Sequence, residues 1–198
     1  MRKVFFFSLL AAGVLAQAVF AHTLIRAETP PSSWGSAAPI RDPSASQVYY
    51  GRLDPSRPRI WFRFEGRAGD RISFSVGVPF VERLEGFQPR AAILGPGLPP
   101  PDLDFDVPPE TGATVFVPRG EPRVFHEEFT GTTSWIVLDE EFTLPRAGTW
   151  YLVAYPVDRT AAQDKMWMSI GTREVFGLSD ILGFFSIRSF VREFHELK

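Results

Sequence analysis

The sequence predicts an all-β fold: an antiparallel β-sandwich or jelly roll of about eight or nine strands, closed by a short C-terminal helix. Three observations predict it. Short runs of β-branched and aromatic residues recur between turn signals at fairly even spacing. Within the runs, apolar and polar residues alternate, the period of a strand with one buried face. The 198 residues also include 19 Phe and 18 Pro, a composition that suits short strands joined by rigid turns.

Residues 1–21 carry the three-part pattern of a secretory signal peptide. Arg2 and Lys3 form a positive start, and the apolar run VFFFSLLAAGVL follows from Val4 to Leu15. Small residues then stand where a signal peptidase reads. Cleavage after Ala18 leaves Val19 first; cleavage after Ala21 leaves His22 first and lies at the more usual distance from the positive start. Gln17 interrupts the apolar stretch, which barely reaches the length of a membrane span. The expectation is therefore an extracytoplasmic protein, secreted or periplasmic.

Residues 22–46 are rich in Pro, Ser and Ala and read as an extended arm, since Pro30, Pro31, Pro39 and Pro43 forbid a long helix. The sandwich is expected over 47–177. QVYYGRL is its first strand. In RIWFRFE, Ile60, Phe62 and Phe64 alternate with Arg59, Trp61, Arg63 and Glu65. RAGD makes a turn on Gly69, and RISFSVGV sets Ile72, Phe74, Val76 and Val78 on one face. PRAAILG precedes a proline-rich loop over 96–110. ATVFVP, RVFHEEFTG, TSWIVLDEEFTL, TWYLVAYPV and DKMWMSIG complete the strands. GRAGDRISFSV and PRAGTWYLVAY echo one another as a tight turn feeding an inner strand, too briefly for a repeat protein.

Over 178–198 the period becomes helical. Ile181, Phe184, Phe185, Ile187, Val191, Phe194 and Leu197 fall mostly on one side, with Ser179 as N-cap. The helix reads as docked on the sandwich, with peripheral membrane contact as the sharper alternative. Its mixed charge (Arg188, Arg192, Glu193, Glu196) weighs against the membrane.

Cysteine is absent, which excludes disulfides, thiolate metal sites and cysteine nucleophiles. The net charge of −2 shows no basic excess of the kind nucleic-acid binding needs. No phosphate loop, dinucleotide fingerprint, nucleophile elbow or zinc-protease helix occurs. The paired acids Glu127-Glu128 and Glu140-Glu141 point to opposite faces of their strands, so neither pair spans a glycosidase cleft.

Three groups of candidate residues remain. A first-position His22 offers its amine and a ring nitrogen, and His126 is the candidate third nitrogen of a copper brace like those of lytic polysaccharide monooxygenases; His195, in the helix, is the poorer third ligand. Asp102, Asp104 and Asp106 alternate in DLDFD, about 7 Å apart if the chain is extended, either a calcium site or a solvated acidic face. Trp61 and Trp135 run out of phase with their apolar neighbours; they form a sugar-stacking strip, or they fill the core or lie under the proline-rich arm.

Two pieces, IWFRFEGRAGDRISFSV and FTLPRAGTWYLVAY, resemble the bacterial pre-peptidase C-terminal type of secreted β-sandwich. Gly69-Asp70 stands at that family's early turn and Gly148-Thr149-Trp150 at its late strand, with Trp150, and Tyr151 beside it, where the family favours Tyr. The resemblance covers about half of the chain beyond residue 21. It implies the fold and an accessory role outside the cell, and it offers no catalytic residues to carry over. HTLIRAETPP also resembles the start of periplasmic copper carriers of the CopC type, although this chain is longer and lacks their Met-rich and multi-His signatures. The leading expectation is an exported non-catalytic module that binds carbohydrate or an envelope protein and needs no cofactor. A copper protein and a peripheral membrane protein are the alternatives.

Overall fold

The computed structural model describes residues 22–157, 164–175 and 178–197; the expected signal peptide, 1–21, lies outside them. The nine expected strands all form. They are β3 (Gln47–Arg52), β4 (Ile60–Gly66), β5 (Arg71–Pro79), β6 (Arg90–Gly95), β7 (Gly112–Phe116), β8 (Arg123–Glu127), β9 (Thr132–Thr143), β10 (Gly148–Tyr155) and β11 (Lys165–Ile170). The arm supplies two more, β1 (Thr23–Leu24) and β2 (Ala38–Ile40).

The strands make a six-stranded sheet, β1-β3-β11-β5-β9-β8, and a five-stranded sheet, β2-β4-β10-β6-β7. Every pairing from β3 onward is antiparallel, but β1 and β2 join β3 and β4 in parallel. The arm is thus partly woven into the sheets as two edge strands. Pro39 is tolerated in β2 because an edge strand needs ladder hydrogen bonds on one side only.

The alternation explains the core. Ile60, Phe62 and Phe64 of β4 face Ile72, Phe74, Val76 and Val78 of β5 across the sandwich, all buried. Met166, Met168 and Ile170 join from β11, and Trp150 and Leu152 from β10. The predicted turn at Gly69 takes φ 89°, and its amide donates to the Leu144 carbonyl at 2.8 Å. A bulge between Val76 and Gly77 shifts the β5–β9 register by one residue on the β9 side.

Both outer faces are partly covered. On the five-stranded sheet, Trp61 lies 1% exposed beneath Trp34 and Ala37 of the arm and Leu103, Phe105 and Val107 of the proline-rich loop. Its amide donates to the Pro31 carbonyl at 2.8 Å. On the six-stranded sheet, Val48, Tyr50, Ile136 and Trp167 form the apolar surface on which the terminal helix rests.

That helix, α1 (Leu178–Phe194), begins one residue before the expected cap Ser179. It docks by its last turns. Val191 is buried, Phe194 meets Tyr50 edge-on at 5.0 Å, and His195, just past the helix end, is 5% exposed. Phe185, by contrast, is 82% exposed and Leu197 is also exposed, so the apolar side expected from helical periodicity is only partly a docking side. Nothing in the helix sequence distinguishes the turns that meet the sheet from those that run past it.

Candidate ligand-binding site

A cavity of about 220 Å³ opens at the end of the five-stranded sheet, on its outer face. Its wall is the loop that carries Asp102, Asp104 and Phe105; its floor is Arg59, Arg90 and Tyr155. The register explains the floor. Arg90 opens β6 and pairs directly with Tyr155 at the end of β10, so their side chains share a face. Arg59 immediately precedes β4 and lies two residues from Trp61, on the same face in an extended chain.

Phe105 is the hub of the site. Its ring packs edge-on against Tyr155 at 5.1 Å and against Trp61 at 5.9 Å, and the Arg59 guanidinium lies 4.2 Å above it. A cation over an aromatic face contributes about 0.5–2 kcal/mol depending on desolvation. The Tyr155 hydroxyl is pushed above its usual titration range by burial first; Arg90 pulls it down and Asp104 pushes it up. It therefore remains a protonated donor at any physiological pH.

Two buried side-chain donors have no hydrogen-bond partner among the described residues: Arg90 Nε and Trp61 Nε1. Both belong to this face. A buried unsatisfied donor costs about 1–3 kcal/mol. No carboxylate comes within ion-pair distance of Arg90 among the described residues, although Asp102 and Asp104 line the same cavity.

The acidic run is not a simple extended row. The chain bends at Asp104 and Phe105, and Asp106 turns away to accept the Trp34 indole hydrogen at 2.9 Å. Two carboxylates line a cavity that also holds two guanidiniums; the third serves the covering layer.

The two histidines named for copper occupy opposite edges of the six-stranded sheet. His22 adjoins β1, with Nδ1 hydrogen-bonded to Ser46. It borders a second cavity of about 220 Å³ rich in hydroxyls from Ser46, Ser73, Ser75 and Ser169. His126 sits on β8, with four strands between it and β1, and its Nδ1 lies 3.1 Å from Thr133 Oγ1. Among the described residues, no three His, Asp or Glu side chains gather as a metal site.

Trp61 is buried and belongs to no exposed strip. Trp135 is half-buried and packs on Phe80 with ring centroids 4.4 Å apart. Phe80 is 50% exposed, and Val124, opposite Trp135 on the edge strand β8, is 56% exposed. This aromatic corner lies at one end of the sandwich.

His195 has a different role from the one weighed in the sequence. The Trp167 indole N–H donates to Ser134 Oγ at 3.0 Å, and Ser134 Oγ lies 3.0 Å from His195 Nε2. His195 Nδ1 lies 2.8 Å from the Val191 carbonyl. A carbonyl only accepts, so Nδ1 carries the hydrogen and Nε2 accepts from Ser134. A neutral His195 satisfies the whole chain and fastens the helix end to β9 and β11.

Sequence reasoning missed Arg59, Arg90, Phe105 and Tyr155. The available signal was Arg90, a charged residue opening an otherwise fully apolar strand.

No sequence family matches the chain, and no curated protein matches it in sequence. Solved structures resemble its fold. The pre-peptidase C-terminal domain of collagenase from Bacillus anthracis is 12% identical, with 68% of this chain and 95% of that one covered and a TM-score of 0.34. PliG of Aeromonas hydrophila, a periplasmic inhibitor of g-type lysozyme, is also 12% identical, covers 77% of this chain and 100% of its own, and scores 0.39. The copper-binding secreted protein MopE of Methylococcus capsulatus is 15% identical over 58% of this chain and 70% of its own, with a TM-score of 0.26. The expectation of a β-sandwich agrees with the two-sheet architecture described above. No helix of the described residues is long and apolar enough to cross a membrane.

Proposed function

We propose that the chain is an exported, non-catalytic β-sandwich module that binds carbohydrate in the cavity walled by Asp102, Asp104 and Phe105. The observation that supports this most is the Arg90–Tyr155 pair at the floor of that cavity, beside the aromatic hub of Phe105. Sugar hydroxyls both donate and accept. Carboxylates, guanidiniums and a phenol supply both kinds of partner, and aromatic carbon supplies the apolar contact. The cavity is smaller than the roughly 300–1,000 Å³ of drug-sized sites, which suits one sugar ring. In this reading Asp102 and Asp104 accept hydrogen bonds from hydroxyls rather than hold calcium. Export rests on the signal-like residues 1–21.

Calorimetric titration with a panel of monosaccharides tests the reading. Binding weakened by Phe105→Ala is expected; a panel without any ligand refutes it.

The exposed corner of Phe80, Trp135 and Val124 favours a second reading, in which an envelope protein docks beside β8. There an apolar surface adjoins a sheet edge, where another chain can add a strand.

A further inference from the structure

The geometry points to an acidic sugar, a hexuronic acid, as the class of ligand that this cavity selects. The inference rests on the carbohydrate reading above and deepens it. Its warrant is Arg90. The Nε hydrogen of this residue is buried and unpaired, and no protein carboxylate neutralises its guanidinium among the described residues. Arg presents a planar fork of donors that matches a carboxylate with two parallel hydrogen bonds. A neutral hexose offers only hydroxyls to that fork.

The other groups argue for a sugar acid over a bare carboxylate. Asp102 and Asp104 would repel a simple anion, and they are suited to accept hydrogens from ring hydroxyls. The buried phenol of Tyr155, cross-strand from Arg90, adds a donor to the same carboxylate or to the ring oxygen. Phe105 supplies apolar carbon for the ring of the sugar, and the Arg59 guanidinium, 4.2 Å from the Phe105 ring centroid, helps hold it in place. The arrangement is an Arg90 guanidinium with no carboxylate partner among the described residues, facing carboxylate acceptors on the wall. A ligand with one carboxylate and several hydroxyls complements it.

The experiment titrates the protein with glucuronate and galacturonate, with the matching neutral hexoses, and with acetate. The acid is expected to bind roughly ten- to a hundredfold more tightly than its neutral partner, the range a charge-assisted hydrogen bond supplies. That ratio should shrink as salt rises, which needs no variant at all. Arg90→Met should bring the ratio close to one, and Arg90→Lys should restore only part of it, because a point charge lacks the fork. Unfolding midpoints establish that the variants are folded. Equal affinity for acid and neutral sugars, or a ratio that survives Arg90→Met in a folded variant, overturns the inference and leaves the carbohydrate reading standing. Acetate binding as tightly as the sugar acids also overturns it, since the hydroxyl acceptors then contribute nothing. Failure of every sugar to bind overturns the carbohydrate reading itself.

Discussion

Replacing Gly77 by alanine places a methyl group where the Trp167 indole now lies. Gly77 and Trp167 are direct cross-strand partners in β5 and β11, and the ring lies flat over the glycine, so a Cβ there would fall inside the indole. The ring is rigid and nearly buried, and it must swing away. Overpacking of this kind costs about 1–3 kcal/mol. The swing also breaks the Trp167 donation to Ser134, worth about 1 kcal/mol. The expected loss is thus about 3 kcal/mol, or roughly 6–12 °C of unfolding temperature for a chain of this size. A second effect is more diagnostic. Ser134 holds His195, so helix docking should loosen along with the sheet. Denaturant unfolding measures the first effect, and hydrogen exchange over residues 185–195 measures the second. An unchanged midpoint, or a destabilised sheet with unchanged helix protection, refutes the proposed chain from Gly77 through Trp167 and Ser134 to His195.

Acid should release the same helix. Burial chiefly, with Lys165 adding to it, holds the His195 imidazole below its ordinary value of 6.5, against the opposing pull of the Val191 carbonyl and Glu127. The neutral form is thus favoured when folded, and its stabilising contribution is complete above about pH 6.5 and lost as pH falls through the lowered folded value. Protection over 185–195, taken relative to the intrinsic exchange rate at each pH, should fall as pH drops below the ordinary histidine value, and His195→Gln should flatten that dependence; equal pH dependence in the variant contradicts it. Phe105→Ala should uncover Trp61, seen as a red shift in tryptophan emission together with weaker sugar binding. An unshifted spectrum shows that Phe105 is not the cover.

The strands were legible because their apolar residues keep a period of two over five or more positions. Ile72 through Val78 and Ile60 through Phe64 declare their inner faces directly. β1 and β2 were not legible. Two- and three-residue strands carry no period, and Pro39 argues against a strand unless its edge position is known. Trp61 was legible as an out-of-phase aromatic and its partial cover by the arm was among the expectations, but the rest of its cover comes from residues more than forty positions away in the 102–107 loop, which local pattern does not report. The cavity was legible only in part for the same reason. DLDFD was visible, while Arg59, Arg90 and Tyr155 meet it through the register of β6 on β10. The helix was legible as a helix. Which of its turns dock depends on Ser134 and Tyr50 of the sheet beneath.

The most direct measurement is a map of backbone amide NMR shifts on adding glucuronate. Changes concentrated at residues 59, 90, 102–105 and 155 are expected. Changes centred instead on Phe80 and Trp135, or on the serine-lined cavity beside His22, would contradict this expectation.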